Sequence, residues 1–364
     1  MRPVMILAGG TGGHVFPALA VANKLHDRGV PIIWVGTEKG IESRVVPAAG
    51  FQLLTMRVQG LRRKGFMQYV RAPIIILQAL IESLKIIVTH KPCVLLGMGG
   101  FVAGPCALVG VLLRKPLVIH EQNSILGLTN RILAPICNKM FTGFPILKDK
   151  KKVEYSGNPV RESLTTISIP EVRLKDRTSA KRILVIGGSL GAMALNKIIP
   201  QAIEKISSTM QVEVWHQTGK DRNKEVLNNY LKFTEDARVN EFIDDMSEAY
   251  QWADLIICRS GAITLAEVAT VGLGAVLIPY PYAVDDHQTA NARNFVSAGA
   301  AYLVSESDLN PYNLAELLIS LLDNPKQLLA MSCAAKKLSA ENASQRIADE
   351  CIRLGGLQTA IGAA

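Results

Sequence analysis

Short runs of apolar residues alternate with longer mixed stretches along nearly the whole chain of 364 residues. Runs of this length are typical of strands buried on both faces, and the stretches between them have the pattern of helices. The runs predict strands near residues 4–7, 32–35, 94–96, 117–120 and 140–142, and near residues 183–186, 212–216, 255–258, 275–278 and 301–304. The alternation predicts an α/β protein with parallel sheets, and residues 325–354 predict helix.

Two of the predicted strands lead into glycine-rich turns of the same design. The first turn is Gly9-Gly10-Thr11-Gly12-Gly13-His14, and the second is Gly187-Gly188-Ser189-Leu190-Gly191-Ala192. Such a turn points backbone N–H groups and the positive end of a helix dipole at one spot, which suits phosphate. The first turn has neither the Gly-Lys-Ser/Thr of a P-loop nor the glycine spacing of a dinucleotide fold. Two turns predict two nucleotide-fold domains, over residues 1–160 and 161–340.

The net charge of +9 is unevenly distributed along the chain. Residues 1–155 hold 20 lysines and arginines against 7 acidic residues, a balance of +13, whereas the remainder holds 20 against 24, a balance of −4. The basic first half predicts an anionic partner, such as an acidic lipid surface or a phosphorylated substrate. Nucleic acid is not the expected partner, because aromatic residues are only 5% of the chain and do not interleave with the basic clusters. The six cysteines lack metal-ligand spacing, so we expect free thiols and a reducing compartment.

One apolar segment, from Leu61 to Val88, contains a basic cluster at its start. Residues 62–64 and Arg71 supply the cations, and Pro73 opens a helix-forming run. Helical spacing predicts one core-facing stripe and leaves other apolar residues on the remaining faces. The stripe comprises Ile74, Leu77, Ile81, Leu84 and Val88, and the residues left over are Ile75, Ile76, Leu80 and Ile87. A helix that is apolar all round is either fully covered or rests on a membrane, and the charge of this half favours an anionic membrane surface.

Polar residues that could carry chemistry follow the strands of the first half. His14 lies at the expected start of a helix, where the dipole favours a neutral imidazole that can accept a proton. Glu121 follows the strand at 117–120 and is a second candidate base, because α/β sheets bind ligands at this edge. Asn123 and Arg161 are candidates for ligand contact. The simpler interpretations are a turn cap for His14, a helix cap for Glu121 and a surface position for Arg161.

The second half has a denser polar cluster after its own strands. Arg259 lies at a strand–helix turn, and Glu267 lies on the helix that follows, where a carboxylate could hold ribose hydroxyls. Residues 285–288, which end in Gln288, are suited to a sugar. The paired aspartates at 244–245 and 285–286 have no further acid or histidine at convincing spacing, so we expect no metal and no cofactor.

These motifs occur in a fixed order that closely resembles the bacterial MurG family, the peptidoglycan N-acetylglucosaminyltransferases. The series comprises residues 9–14, 97–100, 120–123, 157–161, 187–192, 242–246, 259–267 and 288–291, and it covers nearly the whole chain. The resemblance implies a GT-B architecture, in which two Rossmann-like parallel-sheet domains are separated by a cleft. It also implies that a C-terminal helix, residues 341–364, packs back on the first domain.

The resemblance further implies which residues bind the donor, UDP-N-acetylglucosamine. Glu267 would hold the ribose, Ser189 the diphosphate, and Phe242 with Ile243 the uracil. Further expected donor contacts are Thr11, Gly12, Gly13, Asn123, Arg161, Arg259, Ala262, Ile263, Thr264, Leu265, Ala266 and Gln288. The acceptor, undecaprenyl-linked muramyl-pentapeptide, would place its diphosphate near residues 9–13, in a domain resting on the cytoplasmic face of the bacterial plasma membrane.

The reaction implied by the resemblance is a single displacement that inverts the anomeric carbon. His14, or alternatively Glu121, would take the proton of the muramyl 4-hydroxyl, while helix N-termini and Arg259 would stabilise the leaving UDP without a metal. Three other classes are weighed against this one: another UDP-sugar enzyme such as a 2-epimerase, a nicotinamide oxidoreductase using Glu38, and a non-catalytic membrane binder. The basic apolar segment counts against another UDP-sugar enzyme. The glycine spacing counts against the oxidoreductase, and the many polar residues at strand ends count against a non-catalytic binder.

Overall fold

The computed structural model describes residues 1–57, 66–145, 151–175, 177, 180–188 and 191–358, without the side chains of residues 66–72. The chain divides into two compact units. The first unit comprises Met1–Arg161 together with Ala340–Ala364, and the second comprises Glu162–Ser339.

The first unit is built on a seven-stranded sheet in the order β3-β2-β1-β4-β5-β6-β7, in which all pairings are parallel. Its strands are β1 (Val4–Ala8), β2 (Ile32–Thr37), β3 (Gln52–Met56), β4 (Val94–Gly99), β5 (Leu117–Glu121), β6 (Lys139–Thr142) and β7 (Val153–Tyr155). Its first helices are α1 (Gly12–His26), α2 (Glu42–Ala48), α3 (Phe66–His90), α4 (Ala103–Leu112) and α5 (Leu128–Leu133). The strand order reverses between β1 and β4, which is where sheets of this kind bind ligands.

The second unit is built on a six-stranded parallel sheet in the order β10-β9-β8-β11-β12-β13. Its strands are β8 (Lys181–Ile186), β9 (Val212–Gln217), β10 (Ala237–Asn240), β11 (Leu255–Cys258), β12 (Gly274–Leu277) and β13 (Ala301–Leu303). Its helices are α6 (Pro170–Arg173), α7 (Met193–Ser207), α8 (Asn223–Tyr230), α9 (Met246–Trp252), α10 (Ala262–Val271), α11 (His287–Ser297), α12 (Pro311–Leu322) and α13 (Pro325–Lys337), with 3₁₀ turns at Glu162–Leu164 and Val284–Asp286. Here the order reverses between β8 and β11.

The last helix, α14 (Ala343–Gly355), belongs to the first unit although it follows the whole second unit in sequence. Ile347, Ala348 and Cys351 are fully buried and join the core beneath α1. The helical structure predicted for residues 325–354 is confirmed, as two helices, α13 and α14, with a break between them. The chain leaves α13 after Lys337 and starts again at Asn342, whose φ of 60° breaks the helical path.

All ten predicted strands are confirmed, and the three that the sequence did not predict, β3, β7 and β10, are edge strands. An edge strand has one neighbour and need not be buried on both faces, so its sequence carries no continuous apolar run. Gln52, Glu154 and Arg238 interrupt these three strands.

The predicted core stripe on α3 is the exposed face of the helix, so that prediction is wrong. Ile74, Leu77, Ile81, Leu84 and Val88 are all exposed, with Ile74 at 61% and Leu77 at 58%. The opposite face, which contains Ala79, Ser83 and Ile87, is buried against the sheet and α4. The buried face therefore combines the small side chains at positions 79 and 83 with Ile87.

Candidate active site

The first glycine turn connects β1 to α1 at the point where the strand order reverses. Gly10 has a φ of 96°, a conformation that residues other than glycine rarely adopt. Thr11 is exposed and precedes α1, while His14 is half-buried in the first turn of that helix. The Thr11 hydroxyl lies 3.4 Å from Nδ1 of the His14 imidazole. The turn therefore presents Thr11, Gly12, Gly13 and His14 together at the carboxyl edge of the sheet.

A second turn, after the adjacent strand β4, packs directly against the first. Gly99 and Gly100 have φ values of 101° and 86°. A Cβ atom at Gly100 would lie 2.4 Å from the carbonyl oxygen of Gly9, and one at Gly99 would lie 2.6 Å from Cδ2 of His14. At such short distances a side chain at either position would displace the Gly9 backbone or the His14 ring. Glycine at both positions is what allows the His14 ring to lie against this backbone.

Glu121 ends β5 and organises the loop that follows it. Its side chain is only 2% exposed, and both carboxylate oxygens accept hydrogen bonds. Oε1 accepts the backbone N–H of Asn123 at 3.1 Å, whereas Oε2 accepts the N–H of Gly127 and the amide of Asn130, each at 2.9 Å. Gly127 caps α5, so Glu121 closes a loop at a helix N-terminus. This geometry gives Glu121 a positioning role and brings Asn123 to the half-buried rim of the same edge.

The segment 156–161 meets the same edge of the first unit. His120 is fully buried, burial lowers its pKa to about 4, and its Nε2 lies 3.0 Å from the carbonyl oxygen of Gly157. The Asn158 amide donates to the carbonyl of Gln122. The Arg161 guanidinium lies 5.6 Å from the ring centroid of Phe16, one turn beyond the start of α1. Within the first unit, the N-terminal end of α1 is therefore the place where Thr11, His14 and Arg161 lie near one another.

In the second unit, the glycine turn after β8 rests on a buried polar network. Ser189 lies outside the described residues, so its predicted role stays a prediction. A Cβ atom at Gly191 would lie 2.0 Å from the carbonyl oxygen of Thr218, so the turn touches the end of β9 directly. Asn196 donates to that same carbonyl at 3.0 Å and contacts His216, whose pKa burial lowers to about 3.

Most residues that were predicted to contact the ribose and the sugar lie on helix α10. Glu267 is buried, and one of its oxygens, Oε2, accepts a hydrogen bond of 3.0 Å from the hydroxyl of Tyr250 on α9. Leu265 is fully buried and its N–H donates to the carbonyl of Gly261, which places it in the core rather than at the surface of the turn. The remaining predicted contacts on this helix are buried at Ala262 and half-buried at Ile263, Thr264 and Ala266.

Arg259 and Gln288 both serve to hold strand ends together. The Arg259 guanidinium donates to the carbonyls of Ile278 and Pro279, each at 3.1 Å, and forms a salt bridge with Glu306. These contacts hold the guanidinium at the end of β12, and the predicted role of Arg259 toward the leaving UDP stays a prediction. Gln288 accepts the N–H of Tyr280 at 2.9 Å and lies half-buried at the start of α11.

The predicted uracil contacts lie between β10 and α9. Phe242 is 45% exposed, while Ile243 beside it is buried at 3%. An exposed aromatic ring can stack on a flat base. Across the described part of the chain, no group of three or more His, Cys, Asp or Glu side chains could hold a metal ion.

Two residues that belong to none of the predicted motifs support the candidate site. Tyr250 orients Glu267, and Glu42, at the start of α2, lies directly behind the first glycine turn. Tyr250 carries no local signal, because its partner is 17 positions away. For Glu42 the only signal is the clustering of glycines at positions 36 and 40.

Two Rossmann-like parallel sheets, each with a glycine turn where its strand order reverses, form the GT-B architecture. The N-terminal domain of glycosyltransferase family 28 matches residues 4–142, and the C-terminal domain of that family matches residues 182–347.

Relatives and a solved structure agree with this match. The UDP-N-acetylglucosamine–N-acetylmuramyl-(pentapeptide) pyrophosphoryl-undecaprenol N-acetylglucosamine transferase of Alkalilimnicola ehrlichii is 45% identical over 96% of this chain and 98% of its own. The transferase of the same name from Methylococcus capsulatus is 45% identical over 98% of this chain and 99% of its own. The crystal structure of Acinetobacter baumannii MurG has a TM-score of 0.82 and 35% identity, over 97% of this chain and all of that one. The chain belongs to glycosyltransferase family 28 and, within it, to the MurG enzymes.

Proposed function

We propose that this protein transfers N-acetylglucosamine from UDP-N-acetylglucosamine to the 4-hydroxyl of undecaprenyl-diphosphate-linked N-acetylmuramyl-pentapeptide, with inversion at the anomeric carbon. The observation that carries the mechanism is the placement of His14. Its ring lies against the Gly99 backbone, beside Thr11 and at the N-terminus of α1. The relatives named for this reaction match the chain end to end and support the choice of substrates.

In the proposed reaction His14 is the general base. Its imidazole takes the proton of the muramyl 4-hydroxyl as that oxygen attacks the anomeric carbon, and the bond from this carbon to the UDP oxygen breaks. The electron pair of that bond leaves with UDP, whose charge is stabilised by helix N-termini. His14 is favoured over Glu121 because both Glu121 oxygens already accept loop hydrogen bonds and its side chain is almost fully buried.

The donor is proposed to bind the second unit. Glu267, oriented by Tyr250, would accept hydrogen bonds from the ribose hydroxyls, and the exposed Phe242 ring would cover the uracil. The N-terminus of α10 and the glycine turn after β8 would meet the diphosphate, since both offer backbone N–H groups. Gln288 and Thr264 would face the sugar.

A transfer assay tests this function directly. Purified protein is incubated with radiolabelled UDP-N-acetylglucosamine and a short-chain analogue of the lipid acceptor, and the product is separated by chromatography. We expect label in the lipid product only when the acceptor is present, with a β-linkage by NMR. Conversion of UDP-N-acetylglucosamine to its 2-epimer without acceptor, or no transfer at all, would refute the proposal.

The first unit is also proposed to rest on the cytoplasmic face of the plasma membrane through α3. Residues Pro73–His90 are long and apolar enough to cross a membrane, and only 17% of this window is buried. The helix is nevertheless fixed to the unit by Ala79, Ser83 and Ile87. A helix packed on one face and apolar on the other fits a position along the membrane surface.

Helix α4, which packs on α3, and helix α5, which packs on α4, also carry exposed apolar side chains. Leu112 on α4 is 73% exposed and Ile132 on α5 is 61% exposed. Lys85, Lys91 and Arg114 are exposed cations on or beside these helices. In this position the apolar side chains would enter the lipid while the cations contact anionic headgroups. This arrangement would account for the net positive charge of the first half of the chain.

Charging the exposed face of α3 is expected to release the protein from vesicles. In the proposed position the side chains of Leu77 and Ile81 enter the lipid, and each contributes about 1.5 kcal/mol or more to membrane binding. The double variant Leu77→Glu with Ile81→Glu should therefore bind vesicles about 100-fold more weakly. Co-sedimentation with vesicles containing phosphatidylglycerol measures this. The matched control is Ile169→Glu with Val172→Glu, two exposed apolar residues of the second unit. Equal binding by the α3 variant and wild type would contradict the membrane proposal.

A further inference from the structure

A buried carboxylate lies behind the first glycine turn. Glu42 is fully buried at the start of α2. Its Oε2 accepts the backbone N–H of Gly10 at 3.0 Å. Its Oε1 accepts the backbone N–H of Thr37 at 2.8 Å and the Thr37 hydroxyl at 2.7 Å. The carboxylate thus ties the turn after β1 to the end of the neighbouring strand β2.

Three glycines form the slot that this side chain occupies. A Cβ atom at Gly9 would lie 2.5 Å from Oε1 of Glu42, one at Gly36 would lie 2.6 Å from its Cγ, and one at Gly40 would lie 2.1 Å from its Oε2. None of the three has a φ in the left-handed region. Their lack of a side chain is therefore explained by the space that Glu42 needs, and not by backbone conformation.

The contacts continue from Glu42 to His14. The bond to Gly10 fixes the turn, and the carbonyl of Gly9 lies where a Cβ atom at Gly100 would clash. The adjacent Gly99 contacts the His14 ring. We propose that Glu42 is a positioning residue, which sets the first glycine turn and thereby the place of the His14 imidazole during transfer. This inference rests on the proposed role of His14 as base.

The hydrogen bonds explain why a carboxylate is required at this position. Each oxygen of Glu42 accepts a backbone N–H, one from Gly10 and one from Thr37. A glutamine has one oxygen and one NH₂ group. Whichever way its amide turned, the NH₂ would face a backbone N–H, so one donor would be left buried without an acceptor. Aspartate would be one methylene too short to reach both.

Glu42→Gln is the first test. We expect kcat to fall by about 100-fold, the cost of misplacing a catalytic group by about 1 Å. The dissociation constant for UDP should stay at the wild-type value, because the contacts proposed for UDP, at Glu267 and Phe242, lie in the second unit. The matched control is Asp27→Asn, which converts an exposed carboxylate to an amide at the far end of α1 and should leave kcat unchanged. A wild-type kcat for Glu42→Gln would overturn the inference.

Thr37 provides a second test that keeps Glu42 intact. Thr37→Val removes the hydroxyl that donates to Oε1 and should lower kcat about 5-fold, in line with one lost hydrogen bond of about 1 kcal/mol. Thr37→Ser retains the hydroxyl and should restore kcat. If Glu42→Gln does not fold, as judged by its melting temperature, the two Thr37 variants test the role of Glu42 in its place. Equal kcat for the valine and serine variants would then refute the role of Glu42. If the wild-type protein itself transferred no sugar, the proposed function would be refuted instead.

Discussion

Replacing His14 with alanine is expected to lower kcat by about 10²- to 10⁴-fold, the usual contribution of a general base. The dissociation constant for UDP-N-acetylglucosamine should change little, since His14 belongs to the first unit and the proposed donor contacts at Glu267 and Phe242 belong to the second. Steady-state kinetics with a short-chain acceptor, combined with titration calorimetry for the donor, measures both quantities.

A matched control for this variant lies on the same helix. His26→Ala removes an exposed imidazole at the opposite end of α1 and should leave kcat at the wild-type value. The pH profile of kcat/KM adds a second readout, because the variant should lose the acidic limb that reports protonation of the base. Turnover within a few-fold of wild type would show that His14 is not the base, and Glu121 would then be the next candidate.

Replacing Glu267 with alanine is expected to act on donor affinity instead. A carboxylate that accepts two ribose hydroxyls makes two charged hydrogen bonds worth about 1.5–3 kcal/mol each, so the dissociation constant for UDP should rise by about 100-fold or more. Calorimetry with UDP alone measures this without turnover. Glu316→Ala, an exposed position on α12, is the control. An unchanged dissociation constant would rule out Glu267 as the ribose ligand.

Two further variants separate binding from stability at this position. Glu267→Ala leaves the buried Tyr250 hydroxyl without its acceptor, which would cost about 1–3 kcal/mol of folding stability. Glu267→Gln keeps an acceptor for Tyr250 and should melt near the wild-type temperature while still binding UDP weakly. Tyr250→Phe keeps the carboxylate but loses its orientation, and we expect about a 5-fold weaker affinity, equivalent to one neutral hydrogen bond.

The sequence predicted the central strands and the glycine turns because burial on both faces leaves a direct mark on composition. It could not decide which face of α3 is buried. Periodicity reveals that a stripe such as Ile74, Leu77 and Ile81 exists, but not whether protein or another apolar phase covers it. The packed face includes the small residues Ala79 and Ser83, which have no distinctive pattern in the sequence.

The candidate site was predicted where function depends on short motifs and missed where it depends on distant partners. His14 and Glu267 lie in segments whose neighbours along the chain reveal a turn and a helix. The salt bridge that engages Arg259 comes from Glu306, and the slot for Glu42 combines Gly9 with the distant pair Gly36 and Gly40. Such relations arise only when strands become neighbours in the sheet, so no local pattern reports them.

The position of α14 has a consequence for biosynthesis. The second unit is continuous from Glu162 to Ser339, so a nascent chain can complete that core as soon as the ribosome has released it. The first unit is translated earlier but needs Ile347, Ala348 and Cys351 to fill its interior. The half of the molecule that is synthesised first is therefore the half that matures last, and until then its unfilled interior is open to chaperones.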